Sequence, residues 1–230
     1  NVLMLQPDLD PYNEKYSKDS LTILNDLLTL AEENSAGQID YFIGPETSLP
    51  GYGSISEKGF EQSLLLNNVK GFLAKHPKSI FATGISSHKF FSPNETPPKA
   101  AYQTNNGSFV ESYNSAVQII PNQKVEVYHK GKLVPGVEIF PYINVLKPLL
   151  GDAMLDLSGT TASLGIDPER KSFSNPFNKG KLAPIICYES IYGEFVTDYV
   201  KNGANFLGIM TNDSWWGVTQ GHQQLMAYAK

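Results

Sequence analysis

Apolar positions along the chain fall into two repeating patterns. Short runs of strand length, Val2 to Gln6, Asp40 to Ile43, Ser79 to Ile85, Leu182 to Cys187 and Asn205 to Met210, carry little or no polar interruption. Such runs read as strands buried in a sheet. Between them lie stretches with apolar residues three and four apart. In Ser20 to Glu33 these are Leu21, Ile23, Leu24, Leu27, Leu28, Leu30 and Ala31, the stripe of an amphipathic helix. Gly59 to Lys75 and Glu189 to Asn202 read as further helices, the second stopped by Gly203 as its C′ residue.

The middle of the chain has a different rhythm. Tyr102 to Thr104 and Ser108 to Glu111 flank Asn105-Asn106-Gly107, a hairpin turn in which Asn-Gly supplies positive φ. Ser115 to Ile120 and Lys124 to Tyr128 read as a second antiparallel pair around Pro121-Asn122. From Gly131 to about Pro176 periodicity fades, and a structureless stretch of that length points to a functional loop. Strand–helix units flanking antiparallel pairs predict an α/β fold, a sandwich with mixed sheets.

Composition then narrows the classes. The 230 residues suit one large domain, and 41% hydrophobic residues can build a core. A net charge of −5 with scattered Lys and Arg argues against a nucleic-acid partner. No run of about 18 apolar residues occurs, so no segment of the chain reads as membrane-spanning. The chain opens at Asn1 directly into an apolar run and stops at Lys230 within a helical pattern, so both ends read as cut from a longer protein.

Candidate chemistry begins with Cys187, the single cysteine. It closes an apolar strand and precedes a helix, where backbone N–H groups lower a thiol pKa and can hold an oxyanion. A free cysteine is equally at home as a small buried hydrophobe. Glu46 follows Ile43-Gly44-Pro45 at another strand end, placed for a general base or for a solvated loop acid. Lys130 follows a strand in Val127-Tyr128-His129-Lys130-Gly131, and beside a thiolate it would stabilise negative charge. His129 alternates with Lys130 and so faces the other way, which sets it against a Cys–His pair. His76, His88, His129 and His222 show no metal-ligand spacing, and no phosphate or dinucleotide fingerprint occurs. No metal or cofactor is expected.

Taken in order, Gly44-Pro45-Glu46-Thr47, Asn114-Ser115-Ala116, Tyr128-His129-Lys130-Gly131-Lys132-Leu133 and Ile186-Cys187-Tyr188-Glu189 resemble the nitrilase, or carbon–nitrogen hydrolase, superfamily. That resemblance implies an αββα sandwich and a Glu46–Lys130–Cys187 triad. Leu133-Val134-Pro135 with Glu138, Cys187-Tyr188-Glu189, Thr211-Asn212-Asp213-Ser214-Trp215-Trp216-Gly217 and Gly221-His222-Gln223-Gln224 resemble its apolipoprotein N-acyltransferase branch. One departure stands out. Pro135-Gly136-Val137-Glu138 replaces Pro-Phe-Gly-Glu, so Glu138 keeps its place while the local turn must differ.

The branch implies ping-pong acyl transfer. A phospholipid donates its sn-1 acyl group to Cys187, and the amine of a diacylated apolipoprotein accepts it. It also implies that membrane helices precede this single domain, that the protein sits in the bacterial inner membrane, and that the domain faces the periplasm. Glu138 would position or polarise the site. Tyr188, Glu189, Asn212 and Trp215 are supporting or substrate-binding candidates. Each also has a plain reading: packing for Tyr188 and Trp215, a first-turn acid for Glu189, a turn residue for Asn212. Residues 137–157, rich in Ile, Leu and aromatic side chains, suggest a mobile arm that admits lipid. The triad fits a soluble amidase or nitrilase equally well, and a silent binding module on this fold is a third reading.

Overall fold

In the computed structural model, residues 1–10, 14, 17–51, 53–139 and 163–229 are described. The greater part of the expected arm, residues 140–157, lies outside them.

Two sheets form the centre. The first has β1 (Val2–Met4), β2 (Tyr41–Ile43), β4 (Ile80–Phe91), β6 (Phe109–Ile119) and β5 (Tyr102–Gln103) in that order, with β3 (Ile55–Ser56) beside β4 and β7 (Glu126–His129) beside β6. β1, β2 and β4 run parallel, whereas β4, β6 and β7 are antiparallel. The second sheet has the order β10 (Phe206–Met210), β9 (Lys181–Ile186), β8 (Phe173–Ser174), with β9 and β10 parallel.

Side-chain alternation builds the layers. Phe42, Phe81, Ile85, Val117 and Ile119 face α1 (Ser20–Glu33) and α3 (Leu64–Lys75). Tyr41, Ile43, Ile80, Ala82, Ala116 and Tyr128 point the other way, against Leu182, Ala183, Ile185 and Ile186 of the second sheet. Phe195 and Tyr199 of α4 (Gly193–Lys201) complete that core. The order helix, sheet, sheet, helix is the predicted α/β sandwich with mixed sheets.

α1 occupies the expected residues, capped by Asp19, whose carboxylate accepts from the Leu21 and Thr22 N–H groups. The helix expected over Gly59 to Lys75 is broken. α2 (Glu57–Phe60) ends, and Ser63 starts α3 by accepting from the Leu66 N–H at 3.1 Å. The helix expected over Glu189 to Asn202 is likewise divided, into a 3₁₀ turn Cys187–Ile191 and α4, with Gly203 at φ 90° after it. β6 runs unbroken where two strands were expected, because it pairs with β4 along its whole length.

Gly84 marks where the fold leaves no space. A Cβ there would lie 2.4 Å from the Thr47 nitrogen and 2.7 Å from the Glu46 Cα, both backbone atoms. Gly84→Ala should therefore destabilise the protein by about 3 kcal/mol and displace Glu46. Gly71→Ala, on α3 with nothing within 4 Å of the added carbon, should stabilise by about 0.5–1 kcal/mol, both changes being read by chemical denaturation.

Candidate active site

Three loops at the strand ends converge between the two sheets. Glu46 follows β2, Lys130 follows β7, and Cys187 follows β9. Lys130 is 1% exposed and Glu46 is 6% exposed. The Lys130 ammonium lies 3.2 Å from Glu46 Oε1 and 2.9 Å from the Glu138 carboxylate. Asn114 of β6 donates from one amide nitrogen to Glu46 Oε1 and Glu138 Oε1, each at 2.8 Å. A single amide thus bridges the two carboxylates that flank one ammonium.

Glu138 arrives by the altered turn. Gly136 adopts φ 82°, and the Glu138 N–H donates to the Val134 carbonyl. The Glu138 carboxylate in turn accepts from the Val134 N–H at 2.9 Å. Glycine takes this left-handed conformation freely, so the changed order of residues still delivers the acid to Lys130.

Burial alone would lower the pKa of Lys130, and this is the largest influence on it. The charges of Glu46 and Glu138 outweigh it, so the group is held above the ordinary lysine value and stays charged.

Cys187 sits at φ 47°, a left-handed conformation that a non-glycine residue adopts at some energetic cost. The helix-start argument predicts a lowered thiol pKa, and the structure overturns it. Burial first, then the charge of Glu46, pushes the thiol up to about 12, against the opposing pull of Lys130 and a Thr211 hydrogen bond. The segment that begins at Cys187 is a five-residue 3₁₀ turn rather than an α-helix, so its dipole is short.

Glu189 is fully buried and is more than a first-turn acid. Its Oε2 accepts from the Ile186 N–H at 2.7 Å, and its Oε1 from the Gly131 N–H at 2.6 Å and the Tyr128 hydroxyl at 2.5 Å. One carboxylate therefore ties the residue before Cys187 to the residue after Lys130. Burial raises its pKa to about 7, against the pull of these donors.

Asn212 is 7% exposed, accepts from the Ser214 N–H at 3.3 Å, and lines a crevice with Glu46, Gln6, Asp8 and Ser48. Tyr188 packs edge to face on Tyr192, ring centroids 5.3 Å apart, and Trp215 lies 41% exposed in the 3₁₀ turn Asp213–Trp216. Neither lines that crevice. His129 faces away from the site, as alternation predicts, and bonds Ser115 and Lys89 instead. Asn114 and Thr211 each lie in a resembling stretch, but nothing in the sequence marks either as a site residue. Chemically, the arrangement offers a half-buried thiol, a carboxylate able to take its proton, and an ammonium able to stabilise an oxyanion.

The carbon–nitrogen hydrolase family model matches residues 6–230. A relative from Chlorobaculum tepidum, named apolipoprotein N-acyltransferase, is 28% identical over 97% of the chain, which spans 41% of that protein. One of the same name from Vibrio vulnificus is 28% identical over 83% of the chain, spanning 33% of it. The chain thus spans less than half the length of these curated relatives. Among solved structures, a member of branch 10 of the nitrilase superfamily from Saccharomyces cerevisiae superposes with TM-score 0.56. It is 15% identical over 91% of this chain and 63% of that one.

The raised thiol pKa has a signed consequence. Alkylation of Cys187 by iodoacetamide should be slow near pH 8, where an ordinary cysteine of pKa about 8.5 reacts readily. Glu46→Gln removes a charge that disfavours the thiolate, so its alkylation profile should move to lower pH. A Glu46→Gln profile at or above the wild-type position would contradict this electrostatic reading.

Proposed function

The chain belongs to the carbon–nitrogen hydrolase family, and from that premise we propose that it transfers a fatty acyl group from phospholipid, through a Cys187 thioester, to the N-terminal amine of a diacylglyceryl-cysteine lipoprotein. One observation favours transfer over hydrolysis: the Chlorobaculum tepidum relative matching 97% of the chain bears the name apolipoprotein N-acyltransferase. The likeness to nitrilase-superfamily structures speaks to the fold alone.

A thiol with a pKa near 12 holds only a trace of thiolate at neutral pH. The proton must leave as the sulfur attacks. Glu46 takes it, Cys187 Sγ bonds to the sn-1 ester carbonyl carbon, and the carbonyl oxygen becomes an oxyanion. Lys130 has three N–H donors, two of them engaged by Glu46 and Glu138, so one serves the oxyanion. Collapse breaks the ester C–O bond, and the glycerol oxygen leaves with the proton held by Glu46. The thioester remains.

The acceptor amine then attacks the thioester carbonyl. Glu46 takes the amine proton, the C–S bond breaks, and the proton returns to sulfur. Glu138 shares the ammonium with Glu46 and so keeps Lys130 in place through both halves. Tyr188, Asn212 and Trp215 are proposed to contact substrate, and Glu189 to support the Cys187 and Lys130 loops. The complete protein is proposed to reside in the bacterial inner membrane with this domain facing the periplasm. No helix among the described residues is long and apolar enough to cross a membrane, so other segments would hold it there.

A soluble amidase or nitrilase would use the same thioester and deliver water. The two are separated by supplying the full-length protein with phospholipid vesicles and a synthetic diacylglyceryl-cysteine peptide. Transfer predicts one N-acylated peptide for each lysophospholipid formed. Cys187→Ala should abolish it, and Lys130→Met should slow it on the order of 100- to 1000-fold. Free fatty acid in place of acylated peptide would favour the hydrolase.

A further inference from the structure

Behind the candidate site, on the helix-covered face of the first sheet, lies a second polar cluster. Ser87 and Lys89 come from β4, Ser115 from β6, His129 from β7 and Glu57 from α2. Lys89 Nζ is 2.7 Å from His129 Nε2, and His129 Nδ1 is 2.8 Å from Ser115 Oγ. Ser115 Oγ is 2.8 Å from Ser87 Oγ, which donates to Glu57 Oε1 at 3.1 Å. Glu57 Oε2 returns to Lys89 Nζ at 3.4 Å. The circuit closes on itself.

Donor counting fixes its direction. An ammonium has donors only, so His129 Nε2 must accept from Lys89. The imidazole proton is then on Nδ1 and is donated to Ser115 Oγ. Ser115 donates to Ser87, and Ser87 to Glu57. Glu57 Oε1 also lies 3.3 Å from His129 Nε2, a contact rather than a hydrogen bond in this tautomer. Burial, with the charges of Lys89 and Lys171, pulls the pKa of His129 down to about 3, consistent with a neutral ring. Tyr113 stacks on the imidazole with centroids 4.0 Å apart, and Asp167 accepts from the His129 N–H at 3.0 Å.

This is not a second nucleophile site. Ser115 is fully buried, and His129 donates to its hydroxyl rather than taking its proton. Its importance lies in register. Ser115 pairs with His129 across the β6–β7 ladder, and the Lys130 N–H donates to the Asn114 carbonyl at 2.8 Å. Asn114 and Lys130 are therefore the chain neighbours of two ring members, with side chains on the opposite face.

We propose that the ring Glu57–Ser87–Ser115–His129–Lys89 is a positioning device for Lys130 and Asn114. It clamps the back of the β6–β7 ladder, joining it to β4 and α2. The front of the same ladder then presents one ammonium and one amide to Glu46 and Glu138 at fixed distances. His129 and Lys89 are positioning residues that act through Lys130. The proposal rests on the reading that Lys130 tunes Cys187.

The test uses the full-length protein with His129→Phe, which keeps the stack on Tyr113 but lacks both nitrogens. Lys89→Met serves as a second variant at a half-exposed position that threatens folding little. A displaced Lys130 stabilises the thiolate less, so iodoacetamide should alkylate Cys187 more slowly at a fixed alkaline pH in both variants. The kcat for acyl transfer should fall roughly ten-fold or more with the donor KM nearly unchanged, since misplacement of about 1 Å can slow a reaction on the order of 100-fold. His129→Asn, which restores a donor to Ser115, should recover part of both losses. Wild-type alkylation and kcat alongside a lowered melting temperature would overturn the proposal, leaving the ring a structural feature only. If His129→Phe does not fold, Lys89→Met decides alone. Should the wild type transfer no acyl group, the alkylation readout still judges the ring, while the proposed function falls by itself.

Discussion

The arrangement depends on keeping one ammonium charged where there is almost no water. Lys130 is 1% exposed, and an isolated charge there would be driven to lose its proton. Two carboxylates, Glu46 and Glu138, reverse that tendency, and Asn114 bridges the pair. The three charges sum to minus one. That residual charge, together with burial, keeps the Cys187 thiol protonated at rest. In the proposed reaction, the cluster responds when charge develops on a substrate oxygen rather than holding a free thiolate.

Everything around the cluster narrows the geometry. Glu189 joins the loop before Cys187 to the loop after Lys130 through backbone N–H groups. Gly84 lets β4 approach the backbone of Glu46 and Thr47, where any Cβ would collide. On the far side of the sheet the Glu57–His129 ring engages the chain neighbours of Asn114 and Lys130. A β-ladder alternates its side chains, so one pair of strands can carry a reactive cluster in front and a clamp behind.

Much of this was legible in the sequence, for physical reasons. The 3.6-residue stripe defines α1 residue for residue, because that signal is local. The Asn-Gly turn and the strand-end positions of Glu46, Lys130 and Cys187 were local too. The break at Ser63 was not, because Leu64 to Leu66 continue the apolar pattern across it and only the serine cap marks the restart. The sign of the thiol shift was unreadable, since it depends on burial and on a charge 141 residues away, at Glu46. Asn114 falls between the two strands expected there, and its bridging role exists only once Glu46 and Glu138 converge on it.

Lys130 holds two buried carboxylates side by side by offsetting part of their mutual repulsion. Chemical denaturation of Lys130→Met, alone and combined with Glu138→Gln, tests it most directly. Removing one partner from a buried ion cluster costs about 3–5 kcal/mol, so the single variant should lose stability on that scale. The second substitution should restore much of the loss by removing one of the two like charges. Lys130→Met as stable as the wild type, or a double variant no better than the single one, would contradict the account.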